Sequence, residues 1–361
     1  MKSLRKTGFV FLFLIPQLWL AAQTRHLAAS ALAGQSPSGG SPPLSEAQSK
    51  IVVNSSLVVL PVTVKDGTGR LVADLRRDEF RVFEDNIEQR IDVFTAEAFP
   101  LSMVVLIDND LKSKDAKQVE RSLEAIVGGM SVEDEAFVCR FDEYFHQGKG
   151  FTSDHDKLLT ELSRTRLDTE TSAGPTGGPM SSREPSINGH SVTGAPSTAG
   201  STIEIFGHAT KALDDAVFDA AQLLEDRPRN RRRIIFLISD GLNGGKKYNT
   251  NTYDSTLREL LGHSISVFGV GVGSAIYDRR FERLSQYAHD TGGDVYYAAN
   301  RESMEDLYAR ISEEARNEYT LAYVPHNTNP AKEYHDVEVR VRREGLTILT
   351  RNRYYVGGVA R

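Results

Sequence analysis

The chain has 361 residues, of which 40% are apolar and 25% are charged, which is ordinary globular composition. Its length is enough for one large domain plus a small one. The formal net charge of −6 excludes a general affinity for nucleic acid or for anionic membranes. The arginine-rich run at 227–233 is local, and we interpret it as a solvated loop.

The N-terminus carries the pattern of a secretory signal peptide. Three basic residues precede an apolar core over 8–20, and small residues follow. The core is too short to span a bilayer comfortably, which favours removal over an uncleaved anchor. We expect a signal peptide at 1–33 and a flexible Gly/Ser/Pro-rich linker at 34–50. The protein is therefore predicted to be exported, periplasmic or extracellular, with no stable membrane span after cleavage.

Residues 51–98 alternate in the manner of short antiparallel strands. The stretch "SSLVVLPVTVKDGTGRLV" has a hairpin signal at 66–69, and "DEFRVFED" and "QRIDVFTAE" are separated at Asn86. We predict an N-terminal β module there.

The hydrophobic pattern of the sequence changes over 99–316. Continuous apolar runs such as "LSMVVLID", "RRIIFLISDG" and "ISVFGVGVG" are typical of strands buried on both faces. They alternate with helical patterns such as "DAKQVERSLEAIVGGM", which predicts one helix that ends at a Gly pair, and "HATKALDDAVFDAAQLLED". This order predicts an α/β domain with a doubly wound, mostly parallel sheet. The segment 166–201 has almost no large apolar residues and is predicted to be a disordered insertion.

The chain returns to β patterns over 317–356, in "EYTLAYVPH", "HDVEVRVRR" and "LTILTRNRYYV". Five predicted strands, divided between the two ends, are too few for a core at each end. We therefore expect both ends to pack together as one small β-sandwich beside the α/β domain.

Acidic residues end two of the buried strands. "VVLID" ends on Asp108 and "IIFLISD" on Asp240, while Asp110 follows in the first loop. Ligands of open α/β sheets bind outside the carboxyl ends of strands, where the strand order reverses. Clustered carboxylates repel each other unless a counterion lies among them, and oxygen ligands suit Mg²⁺, Mn²⁺ or Ca²⁺. The sequence thus predicts a cation site at this crevice.

These motifs resemble the von Willebrand factor A domain. The resemblance implies a metal-ion-dependent adhesion site, in which an Asp-x-Ser-x-Ser loop, a later Thr and a later Asp hold the metal. Asp108 and Asp240 match its two aspartates. Asp110 and Lys112 stand where the two serines belong, so the site is degenerate. Thr210 matches the Thr, with a spacing to the following Asp-Ala that is one residue longer than in the family.

The flanking segments also resemble one family. Residues 51–98 and 317–356 are similar to the ends of the VWFA-related proteins typical of acidobacteria. That resemblance implies an exported, non-catalytic protein that binds a protein or cell-surface ligand.

Two interpretations of the crevice stay open. Lys112 is an internal counter-charge that replaces the ion, or it points to solvent while Asp108, Asp110 and Asp240 hold Mg²⁺ or another divalent cation. We favour the ion pair, because two hydroxyl ligands are missing. No cofactor is certain on either interpretation.

The sequence supports a catalytic function less well than a binding function. "IDNDLK" also suits a Mg²⁺-dependent phosphatase with Asp108 as nucleophile and Asp110 as acid/base, but a later lysine and acidic pair are not evident. The glycines of "GVGVGS" are not followed by lysine, so we expect them to allow close packing. The only cysteine, Cys139, reads as a buried hydrophobic residue. We predict no catalytic activity.

Overall fold

A computed structural model describes four stretches of the chain, together with the backbone of one short two-stranded hairpin. The four stretches are 57–167, 211–277, 283–326 and 332–356. The predicted signal peptide (1–33), linker (34–50) and most of the insertion (166–201) lie outside the described residues. All four stretches belong to one compact unit.

The strands, in chain order, are β1 (Val58–Lys65), β2 (Phe80–Glu84), β3 (Ile87–Gln89), β4 (Val93–Thr95), β5 (Leu101–Asp108), β6 (Glu135–Phe141), β7 (Phe145–Gln147), β8 (Ser186–Ile187), β9 (His190–Ser191), β10 (Arg232–Ser239), β11 (Ile265–Gly271), β12 (Val295–Tyr297), β13 (Tyr319–Tyr323), β14 (Tyr334–Val341), β15 (Thr347–Leu349) and β16 (Arg353–Tyr355).

The α-helices are α1 (Ser113–Ser122), α2 (Ala125–Gly128), α3 (His155–Arg164), α4 (Leu213–Glu225), α5 (Tyr253–Gly262), α6 (Arg283–Thr291) and α7 (Arg301–Arg316). Within the described residues, no helix is both long and apolar enough to cross a membrane.

The central sheet has six strands in the order β12-β11-β10-β5-β6-β7. Five of them run parallel, and β7 pairs antiparallel with β6 at one edge. The chain moves outward from β5 to β6 and then returns to place β10 on the other side of β5. The strand order therefore reverses between β5 and β10, which is where open α/β sheets form their ligand crevice.

Helices cover both faces of the central sheet. All eight residues of β5 are buried, and they alternate between two cores. Met103, Val105 and Ile107 pack with side chains of α1, α3 and α7. Val104 and Leu106 face the other way, toward α4 and residues of α5 and α6. This two-sided burial explains the continuous apolar run in the sequence.

The strands from the two chain ends pair with each other. β1 lies between β13 and β15 in one four-stranded sheet, and β14 lies between β2 and β16 in another. Both sheets contribute to one apolar cluster that includes Leu60, Val82, Tyr319 and Val339. The β2–β3 hairpin turns at Asp85 and Asn86, whose φ angles of 47° and 68° suit a tight hairpin turn.

Local boundaries differ from the sequence prediction in three places. The first helix is broken at residues 123–124 into α1 and α2. The 66–69 turn forms, but beyond it only one bridge, between Lys65 and Leu71, continues the hairpin. Finally, α4 begins at Leu213, so the two residues before it lie outside the helix.

Candidate functional site

Asp108 and Asp240 lie together at the reversal point of the central sheet. Asp108 is the last residue of β5, and Asp240 directly follows β10. The two strands are parallel neighbours, with Ile107 paired to Ile238. Their carboxyl ends therefore deliver both aspartates to the same edge, where each is buried.

A buried lysine bridges the two carboxylates. Lys211 Nζ donates to Asp108 Oδ2 and to Asp240 Oδ1, at 2.9 Å in each case. The side chains of Lys211, Asp108 and Asp240 are 2%, 0% and 9% exposed. We call these three residues the lysine triad.

The backbone around Lys211 fixes its position. The Ala212 N–H donates to the Asp142 carbonyl at 2.8 Å, and the Gly244 N–H donates to the Lys211 carbonyl at 2.8 Å. Ala212 has φ −95° and ψ 60°, outside the helical region. The chain thus enters α4 across the crevice, which lets the lysine side chain reach between β5 and β10.

Other donors also reach the two carboxylates. The Ser239 hydroxyl donates to Asp108 Oδ2 at 2.8 Å, and the Asp110 N–H donates to Asp108 Oδ1 at 3.0 Å. The Leu242 N–H donates to Asp240 Oδ1 at 3.1 Å. Buried carboxylates need such partners, because an unpaired buried charge is costly.

Opposing electrostatic effects act within the lysine triad. Burial, and then repulsion by Asp108, raise the pKa of Asp240 to about 6, although Lys211 acts in the opposite direction. Burial alone would lower the pKa of Lys211, but attraction by Asp108 and Asp240 more than offsets this and raises it. Lys211 therefore remains a cation at any physiological pH.

The donor set does not fit a divalent cation between Asp108 and Asp240. The ammonium of Lys211 is within hydrogen-bond distance of the two oxygens that a shared metal would need. A metal there would have to displace a paired, buried cation of the same sign of charge.

The structure brings some of the predicted site residues together and places others elsewhere. Asp108 and Asp240 come together, and Asp110 contributes its N–H to Asp108. Thr210 lies outside the described residues. Lys112, the predicted counter-charge, is exposed at the start of α1, and Lys211 makes the ion pairs to Asp108 and Asp240 instead.

The sequence contained one signal for Lys211. Thr210 was one residue too far from the following Asp-Ala for the family spacing, and Lys211 is the next residue. Placing Lys211 at that loop position removes the one-residue excess. A lysine then stands where the resemblance expects a metal-binding Thr.

Polar and aromatic groups border the lysine triad. The Asn109 amide donates to Asp142 Oδ2 at 2.9 Å, and His146 Nε2 lies 3.0 Å from the same oxygen. Burial would raise the pKa of Asp142, but hydrogen bonds from Asn109, the Tyr144 N–H and His146 lower it. This hydrogen-bonded loop therefore forms a polar border beside the triad.

Two tyrosines project from the same edge. Tyr144 is 68% exposed and lies between β6 and β7, just after the end of β6. Tyr277 is 87% exposed and follows the short 3₁₀ helix after β11. We call Tyr144 and Tyr277 the rim tyrosines.

Comparisons with known proteins give weak likenesses. No protein-family model matches the chain, and no curated protein matches it. Among solved structures, the conserved hypothetical protein BatB from Bacteroides thetaiotaomicron is 13% identical, with 60% of this chain and 98% of that one covered and a TM-score of 0.41. A von Willebrand factor type A protein from Catenulispora acidiphila is 10% identical, with 84% and 75% covered and a TM-score of 0.42. Likenesses at this level define neither fold detail nor function.

Proposed function

We propose that this chain is an exported, non-catalytic binding protein whose α/β domain, of the von Willebrand A type, contacts a protein or cell-surface ligand. The contact would use the edge that carries the lysine triad. The observation that carries the proposal is the pair of 2.9 Å contacts from Lys211 to Asp108 and Asp240. The ammonium supplies the positive charge that the aspartates need, so the edge keeps its architecture without a metal.

The rim tyrosines supply the contact area in this proposal. Exposed aromatic side chains are enriched in protein interfaces, where they often contribute much of the binding energy. Tyr144 and Tyr277 follow different strands, so together they frame the edge on which Lys211 is buried. A ligand would therefore rest on the rim instead of coordinating a metal.

The engagement of Asp108 counts against the phosphatase alternative. Its Oδ2 accepts from Lys211 and Ser239, and its Oδ1 accepts from the Asp110 N–H. An aspartate nucleophile must reach a phosphorus atom, whereas the Asp108 side chain is fully buried.

Binding of the mature protein to an envelope preparation from the producing cells tests the proposal. We expect Tyr144→Ser combined with Tyr277→Ser to weaken binding at least about tenfold, since two interface anchors are removed. EDTA should leave the parent's binding unchanged. The matched control is Val132→Ser, which alters an 83% exposed residue just before β6, at the opposite edge of the sheet.

Three outcomes would contradict the proposal. The first is equal binding by the parent and the double tyrosine variant, and the second is loss of binding in EDTA. The third is hydrolysis of a generic phosphoester that disappears in Asp108→Asn, which would favour the enzyme reading.

A further inference from the structure

The arginine-rich run 227–233 lines a cavity at the edge of the central sheet opposite the lysine triad. The run connects α4 to β10, which begins at Arg232, so the cavity lies at the N-terminal ends of the parallel strands. The sequence predicted a solvated loop here, but Arg231, Arg232 and Arg233 are each partly buried. The cavity is half-open and has a volume of about 850 Å³, which is in the range of small-molecule binding sites.

The lining of this cavity is positively charged, although the chain as a whole carries a net charge of −6. Five arginines and three carboxylates line it, which leaves an excess of two positive charges when histidine is counted as neutral. The arginines are Arg227, Arg229, Arg231, Arg232 and Arg233, and the carboxylates are those of Glu225, Asp226 and Glu318. The excess of positive charge favours an anion and opposes a metal cation.

Three of the arginines have carboxylate partners. Arg232 Nη1 lies 3.1 Å from Glu318 Oε2. Arg227 Nη1 and Arg231 Nε both approach Glu135 Oε1, at 3.6 and 3.5 Å. These contacts fix the loop against the strands, and they leave the two other arginines as the ones whose charge is not offset.

Arg229 and Arg233 lack a carboxylate partner among the residues that the structure describes. Arg233 Nη1 donates to the Glu225 carbonyl at 3.1 Å. Burial, and then repulsion by Arg229, lower the pKa of Arg233, so the two guanidinium groups lie close enough to repel each other. An anion bound between them would relieve this repulsion and accept charge-assisted hydrogen bonds from both.

Arg232 gives an independent indication of a missing ligand. Its side chain lines the cavity and is only 10% exposed. Its Nε is buried and has no hydrogen-bond partner in the described part of the chain. Its guanidinium lies over the Phe99 ring, with Cζ 5.2 Å from the ring centroid. Buried polar atoms almost always have a partner, and an acceptor bound in the cavity would supply the one that Arg232 lacks.

We propose that this cavity binds a small molecule that carries a phosphate monoester, with the phosphate between Arg229 and Arg233. Arginine suits phosphate because its planar guanidinium donates pairs of N–H groups to the phosphate oxygens. A phosphate monoester carries nearly two negative charges at pH 7, which matches the excess of two positive charges in the lining. The proposal is independent of the proposed binding function, which uses the opposite edge of the sheet.

The outward face of β1 gives the cavity a less polar wall. Val59 and Pro61 line the cavity and alternate along β1 with the core residues Val58 and Leu60, so their side chains point away from the sandwich core. Phe99 lines the cavity as well. The body of the ligand would rest on this wall, so an ester with an apolar group should bind more tightly than phosphate alone.

Calorimetric titrations of the mature protein with phenyl phosphate and with inorganic phosphate test the proposal. We expect one site per chain, phenyl phosphate to bind about tenfold more tightly than inorganic phosphate because its ring buries apolar area, and both to weaken as NaCl is raised. Arg229→Gln and Arg233→Gln should each weaken binding of phenyl phosphate about 10- to 100-fold, because each removes a charged hydrogen bond. Arg229 is exposed, so Arg229→Gln should fold even if a change at Arg233 does not.

The matched control is Arg121→Gln, which removes an exposed arginine of α1 outside the cavity and should bind phenyl phosphate like the parent. Absence of saturable binding of either phosphate compound by the parent would overturn the proposal. Equal affinity of the parent and Arg229→Gln for phenyl phosphate would overturn it too. Phenyl sulfate, which carries one negative charge, should bind more weakly than phenyl phosphate, and equal or tighter binding would overturn the assignment to phosphate.

Discussion

The Lys211 ammonium is buried, so only its two carboxylate partners offset the free-energy cost of removing its charge from water. Its side chain is 2% exposed, and both contacts are 2.9 Å long. Removing one member of a buried charge network leaves the others uncompensated, which typically costs about 3–5 kcal/mol. Lys112, by contrast, is exposed at the start of α1.

Lys211→Thr should convert the lysine triad into a cation site. Without metal, we expect the free energy of unfolding to fall by about 3–5 kcal/mol, because Asp108 and Asp240 lose their counter-charge. Mg²⁺ at 100 times its Kd should then restore about 2.7 kcal/mol, while the parent gains nothing. Urea denaturation with and without MgCl₂ measures both effects.

The control for this experiment is Lys112→Thr at the N-cap of α1, which should not destabilise the fold, because Thr is a favoured N-cap residue. Stabilisation of the parent by Mg²⁺ would contradict the ion-pair interpretation. A Lys211→Thr protein that is destabilised but indifferent to Mg²⁺ would show that the crevice lacks the geometry of a cation site.

The sequence predicted that a positive charge lies between the two aspartates, but it did not predict which lysine supplies it. Clustered aspartates require a cation, and strand ends bring Asp108 and Asp240 together, so a counter-charge was expected. Which lysine supplies it depends on a contact across 103 positions in sequence. The loop path that lets Lys211 reach the crevice is set by backbone hydrogen bonds to Asp142 and Gly244, which no local pattern encodes.

Gly269 in β11 and Gly293 before β12 permit close contact between elements. A Cβ on Gly269 would lie 2.8 Å from Val295 Cγ2 and 2.9 Å from Leu284 Cγ, both in the surrounding core. A Cβ on Gly293 would lie 2.0 Å from the Val267 carbonyl oxygen. The α6 helix and β12 therefore approach β11 at distances that a larger residue would prevent.

Gly269→Ala should destabilise the fold by about 1–3 kcal/mol, because the new methyl group overpacks the contact with Leu284 and Val295. The matched control is Gly128→Ala at the end of α2, where a Cβ meets nothing within 4 Å. That change should be neutral or stabilising by up to about 1 kcal/mol. Chemical denaturation compares the two, and an equal effect of both substitutions would show that close packing at Gly269 does not matter.

The local sequence pattern predicts most strands and helices of the α/β part, but it predicts where they begin and end less accurately. β5 and β10 are buried on both faces, so their apolar runs were unambiguous. The break between α1 and α2 was not predicted, because the run from Asp115 to Met130 has no proline, and its glycines come only at the end. Tertiary packing against α7 decides where such a helix turns.

Ion pairs join the paired chain ends to the α/β part. Lys65 Nζ, at the end of β1, contacts Asp294 Oδ2 at 2.7 Å and Glu314 Oε2 at 2.9 Å. Arg232, at the start of β10, contacts Glu318 Oε2 at 3.1 Å. The sequence predicted that the two chain ends would meet, because neither end has enough strands for a core of its own. It did not predict these ion pairs, because they join residues that are 86 to 249 positions apart.

Glu318 makes this junction sensitive to pH. Burial raises the pKa of Glu318 from 4.5 to about 7, although Arg232 acts in the opposite direction. The folded state therefore binds a proton between about pH 4.5 and 7 that the unfolded state has released. Stability from this group is present below pH 4.5 and is lost as the pH rises through 7. The total loss is on the order of 3 kcal/mol.

Glu318→Gln should remove this contribution, because the amide carries no charge at any of these pH values and can still accept a hydrogen bond from Arg232. We expect the difference in unfolding free energy between parent and variant to change by about 3 kcal/mol from pH 4.5 to 7.5, with the parent losing more as the pH rises. Denaturation midpoints across this range measure it. The control Glu97→Gln alters an exposed glutamate before β5 and should keep the pH profile of the parent. Parallel profiles for the parent and Glu318→Gln would mean that Glu318 stays ionised in the folded state and that Arg232 compensates its burial in full.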